Sequence, residues 1–489
     1  MKISDLSVIS LKAAEAARRA TSEMAIAQKR ISTGLRINSA NDDPGSIGVA
    51  SKLTSEINKY VNQSTSNLFS QKMLEAADLA HKNIQAILDS MLDSSNDSLS
   101  ATATQSSRTS NQTVVSGLKN EVDAIATKTS FNGRNLTDGT FTDQRVGGSN
   151  SSSAIKFSIA SIKTANIGTN TTTLAAKAAS DESSATTDGA FNVVGTSTAA
   201  VDYAGSDSAE TIASLVNAVK EQTGVSAVAE TKAKLHTLSD AGTISFTLNG
   251  VASGNITITA TTDLSAITTA INAISATTGI SAETSIDKSS VTLTSDTGKN
   301  IVFTAFDNDN SGADTITLAA LNRAGTEVNS QTITNTDGGA SAKMAARGYV
   351  VMNSDKAFSY AMTQASGTDF SSASSSYRGI SDIDISTEVG ATEAKETIAS
   401  ARQMITNART EIGGVINRLK FAEDYNQGQR LALTTARGNI IDADFAKESA
   451  ALARSTIILE TSMAVLAQAN IRKEMIINLL NTSWGRRTS

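Results

Sequence analysis

Both ends of the chain carry a narrow apolar seam at helical spacing. Near the start, Ile3, Leu6, Ser10, Ala13, Ala17, Ala20, Met24, Ala27 and Ile31 recur at alternating steps of three and four. Near the end, Leu452, Leu459 and Leu466 stand seven apart. Ser455, Ser462 and Ala469 fall between or after them, Lys473 interrupts once, and Ile476 and Leu480 close the stripe. This rhythm puts one side chain per turn on a single side of a helix. Many of these residues are small, so one such helix buries too little to stand alone in water. Both ends read as helices built to pack against other helices.

Between them the pattern changes twice. The first helix, Ile3–Ile31, stops at Thr33–Gly34, where glycine suits a C-terminal cap. An irregular link through Arg36 and Asn38 leads to Asn41-Asp42-Asp43-Pro44. There Asp43 can cap the next helix and Pro44, the sole proline, fits its first position. That helix is predicted from Pro44 to about Asn96. One stripe is Ile57, Val61, Ser64 and Leu68. A second is Met73, Ala77, Ala80, Ile84, Ile87 and Met91, with a phase slip near Gln71. Val115, Leu118, Val122 and Ile125 make a third helix, antiparallel to the second, ending at an Asn132-Gly133 turn.

After the spacer Gly147–Ser153, residues 151–381 alternate as strands do, as in Ile155, Phe157 and Ile159. This stretch holds a repeat at an offset of 55 residues, about 191–245 and 246–305. Phe191 matches Phe246, Asn217 matches Asn272, and Thr223-Gly224-Val225-Ser226-Ala227 matches Thr278-Gly279-Ile280-Ser281-Ala282. Helical spacing returns at Ile398, Ala401, Ile405, Ala408, Ile412, Val415, Leu419 and Ala422. A break at Asp442–Asp444 precedes the closing helix.

The expected fold is α+β: a long antiparallel, coiled-coil-like helical bundle from both chain ends, with a β-rich central insert of small α+β lobes. The expected segments are 1–40 and 447–489 for the terminal helices, 41–150 and 382–446 for the rod, and 151–381 for the insert.

Composition removes many function classes. The chain has 489 residues, no cysteine, two histidines and a net charge of −6. Disulfides, thiolate metal sites and a cysteine nucleophile are excluded. His81 and His236 are too far apart for a helical zinc motif, and each is expected to be a solvated imidazole. No catalytic constellation, metal site or cofactor site stands out, so an enzyme is not expected. With no basic block, nucleic acid is not an expected partner. Lys12, Glu15, Arg18 and Arg19 interrupt the first helix, so a cleaved secretory signal is not expected. No run of eighteen apolar residues suggests a membrane span.

Several motifs then resemble those of bacterial flagellins. Gly34-Leu35-Arg36-Ile37-Asn38-Ser39-Ala40-Asn41-Asp42-Asp43 is similar to the family's junction of terminal helix and rod. Thr129-Ser130-Phe131-Asn132-Gly133 is similar to its turn after the third helix. Ile383-Asp384-Ile385-Ser386-Thr387 and Gly413-Gly414-Val415-Ile416-Asn417-Arg418-Leu419 resemble parts of its C-terminal arm. Ile441-Asp442-Ala443-Asp444-Phe445-Ala446 and Ser462-Met463-Ala464-Val465-Leu466-Ala467-Gln468-Ala469-Asn470 resemble its closing motifs. The repeat resembles a lobe motif inserted in flagellins and in some hook-associated proteins.

The resemblance implies a subunit that polymerises into the flagellar filament for swimming. It implies uncleaved export through the flagellar type III channel to the extracellular filament. The implied partners are other flagellin subunits, an export chaperone, the filament cap and hook–filament junction proteins, with no membrane partner. Of the seam residues, Ile3, Leu6, Ala13, Ala17, Ala20, Met24, Ala27, Ile31, Leu452, Leu459, Leu466, Ala469, Ile476 and Leu480 would carry self-assembly. Gly34, Arg36, Asn38, Asp42, Asp43 and Pro44 would form a hinge or an inter-subunit contact. Alternatives are a hook-associated junction protein of the same export family, or a secreted adhesin using the central lobe. The family's innate-receptor epitope corresponds to about Ile87–Asp93, which holds two Asp and no Arg. Weak activation of the flagellin-sensing Toll-like receptor is therefore expected in a reporter-cell assay, and potent activation would contradict that reading.

Overall fold

The seven-residue spacing at both termini produces helices. The structure is a computed structural model. It describes all residues except 1–2, 101, 147–153, 180–188, 310–312, 337–342, 364–369 and 486–489, and the side chains of 3–7, 179, 336 and 479–485 also lie outside the description. The seam side chains of Ile3, Leu6 and Leu480 are among those outside it. The helices are α1 (Ile3–Thr33), α2 (Pro44–Leu99), α3 (Gln105–Lys128), α4 (Ala209–Ala218), α5 (Lys220–Thr223), α6 (Ser265–Thr278), α7 (Glu388–Ile441) and α8 (Phe445–Gly485). Contacts divide the chain into two compact units, residues 1–72, 145–156 and 415–489, and residues 73–144 and 157–414.

In the first unit α1 and α8 pair antiparallel, with Arg30 on Glu448 at 3.0 Å and Lys473 Nζ donating to Ser10 Oγ at 3.3 Å. The start of α2 is fixed as its sequence demands. Asp43 Oδ1 accepts from the Gly45 and Ser46 amides, both at 3.1 Å, and Pro44 opens the helix. The first part of α2 runs antiparallel to the end of α7, with Arg437 near Thr54 and Ser64 donating to Glu423. The stripe expected on this part of α2 is misplaced. Val61 and Leu68 face solvent, whereas Asn67 and Ser70 are buried. A search for apolar residues alone misses this burial of polar ones.

In the second unit a three-helix core gathers Ile84, Leu88 and Met91 of α2, Val115, Val122 and Ala126 of α3, and Ile398, Ala401 and Ile405 of α7. Ile383 and Ile385, just before α7, join the same core. Arg402 on Asp89 (2.7 Å) and Arg409 on Asp78 (2.8 Å) keep α2 and α7 in register. The third helix begins earlier than its apolar residues indicate. Thr104 caps it by accepting the Ser107 amide at 3.2 Å, and Thr109 and Ser110 bond back to the carbonyls four residues earlier.

The insert is built around the strand Ser226–His236. Its first half pairs with Tyr349–Ser354, and its second half lies between Ser290–Ser295 and Ala313–Leu321. Alternate residues of this strand feed two cores, Ala227 and Ala229 one with Phe191 and Val216, Ala233 and Leu235 another with Phe246 and Ile271. The repeated sequence is a repeated structure. Asn217 of α4 donates to the Ala227 carbonyl at 2.8 Å and accepts the Ala227 amide at 2.9 Å. Asn272 of α6 does the same with Ala282, at 2.9 and 2.8 Å. Thr223 and Thr278 each bond back to the helix and accept the amide two residues on. Between them Gly224 and Gly279 take positive φ, 75° and 72°. Ion pairs from Arg323 to Glu393 and Glu396, and from Arg378 to Glu393, tie the insert to the start of α7.

His81 corrects the expectation of a solvated imidazole. It is buried, with Nδ1 2.7 Å from the Ala77 carbonyl oxygen, so Nδ1 carries the proton and Nε2 is left without a partner. Burial is the main cause that pushes its pKa below the ordinary value. Below about pH 6.5 the unfolded chain takes up this proton before the folded one does, so stability is lost as pH falls toward the folded pKa. The melting temperature is expected to drop on acidification through this range, and His81→Leu is expected to flatten that dependence. An unchanged slope in the variant would assign the effect to another group.

Candidate self-assembly surface

Two chain breaks are held together at one end of the α1–α8 pair. Gly34, at φ +72°, ends α1 and donates to the Arg30 carbonyl at 2.8 Å. Asp444 caps α8 through the Ala446 and Lys447 amides at 3.0 and 3.1 Å. The Arg36 amide then donates to the Ile441 carbonyl at 2.7 Å, and the Ala443 amide to the Gly34 carbonyl at 2.9 Å. The Arg36 guanidinium reaches the Ile440 carbonyl at 2.5 Å. Asp42 Oδ2 accepts from the Asn38 and Ser39 amides at 2.9 and 2.8 Å. Those amides hold the Asp42 carboxyl below its usual pKa, and the Ser46 hydroxyl does the same for Asp43. Of the hinge candidates, Gly34 and Arg36 bond across to Ile440–Ala443 as a clasp, whereas Asn38 and Asp42 order the link and Asp43 and Pro44 start α2.

The seam itself closes on its smallest members. Ala13, Ala17, Ala20 and Ala27 of α1 are buried, as are Ser455, Ser462 and Ala469 of α8. The larger residues Met24, Ile31, Leu452, Leu459, Leu466 and Ile476 are only half-buried. Alanine and serine bring the backbones close but remove little apolar area from water.

α8 has a second apolar face that the single-seam reading missed. Ala450, Ile457, Ala464 and Ile471 stand seven apart and are all exposed, Ile457 at 64% and Ile471 at 56%. A search for a second heptad frame in the same helix would have found them. With apolar residues on two sides, Phe445–Asn478 is long and apolar enough by composition to cross a membrane, and only 6% of its most apolar window is buried. Val8, Leu11 and Ile26 of α1, and Phe421, Tyr425 and Leu431 of α7, are further exposed apolar residues of this unit. Among the described residues no cluster of His, Asp and Glu is arranged to hold a metal ion.

Comparison with known proteins gives this surface a context. The model of the bacterial flagellin N-terminal helical region matches residues 5–142, and that of the C-terminal helical region matches 395–480. The flagellin hook IN motif matches twice, at 190–239 and 245–297. The B-type flagellin of Pseudomonas aeruginosa is 27% identical over 476 residues, covering 92% of this chain and 94% of the relative. Flagellin A of Helicobacter pylori is 26% identical over 483 residues, with the same coverages of 92% and 94%. Among solved structures, FliC from Burkholderia pseudomallei aligns at a TM-score of 0.29 and 16% identity, covering 71% of this chain and 99% of that one. Flagellar hook associated protein-3 from Legionella pneumophila aligns at 0.35 and 9% identity, covering 81% and 98%.

Helical regions at both chain ends that match the flagellin models, with a β-rich stretch between them in sequence, mark a filament-forming structural protein. The chain belongs to the bacterial flagellin family and is a structural subunit of the flagellar filament, located outside the cell.

The alanine seam sets a size limit. Ala20→Leu is expected to overpack the α1–α8 contact and cost about 1–3 kcal/mol there. Leucine at the exposed Ala25 is expected to be neutral by chemical denaturation monitored on the helices. Equal effects at the two positions would remove the close seam from the description.

Proposed function

We propose that the terminal helices are the polymerisation element, and that α1 and α8 of one chain are completed by α1 and α8 of its neighbours. The observation that supports this reading is the second heptad face of α8, Ala450, Ile457, Ala464 and Ile471, which lies exposed while the first packs on α1. Met by a different surface of the next copy, that exposed face makes a heterologous contact. Repeated without closure, such contacts generate an open helical polymer. The clasp at Gly34, Arg36 and Asp442–Asp444 joins terminal helices to rod helices, so force on the one reaches the other.

On this reading the chain works without catalysis or cofactor. It leaves the cell uncleaved through the flagellar type III route, held by an export chaperone. It then adds beneath the filament cap, above the hook–filament junction proteins. A hook-associated role would use similar helices but end in a short ring.

Purified subunits are expected to elongate short filament seeds into long helical filaments, as seen by electron microscopy. Truncation after Ser449, or Ile457→Asp with Ile471→Asp, is expected to abolish elongation while leaving the insert folded. Filaments from either variant would sink the assignment of α8 as the polymerisation element.

A further inference from the structure

Two Asn-Gly pairs occur in the chain, Asn132-Gly133 and Asn249-Gly250. Both are two-residue hairpin turns. The first joins Ser130–Phe131 to Arg134–Asn135, and the second joins Gly242–Leu248 to Val251–Ala252. The asparagines take positive φ, 51° and 46°, and the glycines follow at 75° and 81°. The favoured tight hairpin turn requires that pairing. The side chains differ. Asn249 is half-buried and held at both ends of its amide. Its Nδ2 donates to the Asn300 carbonyl at 3.0 Å, and its Oδ1 accepts the Val302 amide at 2.7 Å. Asn132 and Gly133 are both exposed. Among the described residues, neither the Asn132 side chain nor the Gly133 amide is hydrogen-bonded. A Cβ placed on Gly133 would meet nothing within 4 Å, so no neighbour crowds the pair.

We propose that Asn132 is a site of spontaneous deamidation, while Asn249 is spared. The inference does not depend on how the terminal helices assemble. The Gly133 amide nitrogen, having lost its proton to base, attacks Cγ of Asn132. A C–N bond forms and closes a cyclic imide, the Cγ–Nδ2 bond breaks, and Nδ2 takes a proton from water and leaves as ammonia. Water then opens the ring at one carbonyl or the other, giving aspartate or isoaspartate. Nothing is oxidised or reduced. Glycine, with no Cβ, leaves the backbone free to rotate into the attack. At Asn249 the same ring closure must first break two hydrogen bonds. Isoaspartate routes the main chain through the former side chain, so the turn gains a carbon. A lengthened turn no longer fits the pairs Phe131↔Arg134 and Ser130↔Asn135, and so short a hairpin opens. Beyond it, Leu136 is fully buried and the Thr137 hydroxyl donates to the Ala126 carbonyl at 3.0 Å, which confines the change to the hairpin.

The test uses the full-length chain, incubated in mildly alkaline buffer both folded and in concentrated urea. Peptide mass mapping follows the amide-to-acid exchange at each pair, and isoaspartyl methyltransferase labels the isomer. In the folded chain Asn132 is expected to convert at least about tenfold faster than Asn249, the factor that two ordinary hydrogen bonds carry. In urea the two rates are expected to converge. Hydrogen exchange at the Phe131 and Arg134 amides is expected to rise several-fold in the isoaspartyl fraction. Asn132→Gly is expected to abolish the methyltransferase label on this peptide and to keep exchange unchanged through the incubation. Freshly purified Asn132→Asp, which adds the charge without the extra carbon, is expected to exchange like the wild type. The proposal is overturned if folded Asn249 converts as fast as Asn132, or if Asn132 converts only in urea. A rate difference that persists in urea would assign the selectivity to neighbouring sequence and overturn it too, as would unchanged exchange in the isoaspartyl fraction.

Discussion

The close approach of α1 and α8 through alanine and serine is the contact on which the subunit's construction turns. Ala17, Ala20, Ala27, Ser455, Ser462 and Ala469 are buried there, while Ile31, Leu452, Leu459, Leu466 and Ile476 of the same stripes are half in water. Hydrophobic stabilisation scales with apolar area removed from water, at about 25 cal/mol per Å². A seam of single methyl groups therefore contributes far less than one of leucines. Helices of 31 and 41 residues are held by this thin contact and by a clasp of backbone hydrogen bonds at one end. Ile457 and Ile471 of α8 stay exposed beside it.

The second unit follows the opposite rule. Its helical core buries Ile84, Leu88, Met91, Val122, Ile398 and Ile405 almost completely, and the insert has two aromatic-containing cores of its own. The contrast divides the chain: its insert and adjacent rod bury large apolar side chains, whereas the seam of the terminal helices buries small ones.

Much of this was legible in the sequence because helical burial is periodic and local. The stripes at Met73–Met91 and Ile398–Leu419, the Asp43-Pro44 start and the breaks at Gly34 and Asp442–Asp444 all lie where spacing and capping chemistry place them. The failures have specific causes. Val61 and Leu68 are apolar and yet face solvent, while the polar Asn67 and Ser70 are buried. Residue type alone suggests a solvated imidazole at His81, although its place between Ala77 and Ile84 puts it on the buried stripe. The start of α3 lacks apolar residues and is held by a threonine cap and by hydroxyls bonded to the helix carbonyls. The repeat was visible residue by residue, yet the partner switch of Ser226–His236 was not, because strands Ser290–Ser295, Ala313–Leu321 and Tyr349–Ser354 meet it from distant parts of the chain.

The central claim is that the terminal helices are incomplete in one molecule and completed by copies of it. Hydrogen–deuterium exchange of the same amides in dilute monomer and in assembled filament tests this most directly. The expected result is fast exchange along α1 and α8 in the monomer, strong protection of both in the filament, and little change in the buried core of the second unit. Equal and strong protection of α1 and α8 in monomer and filament would contradict it.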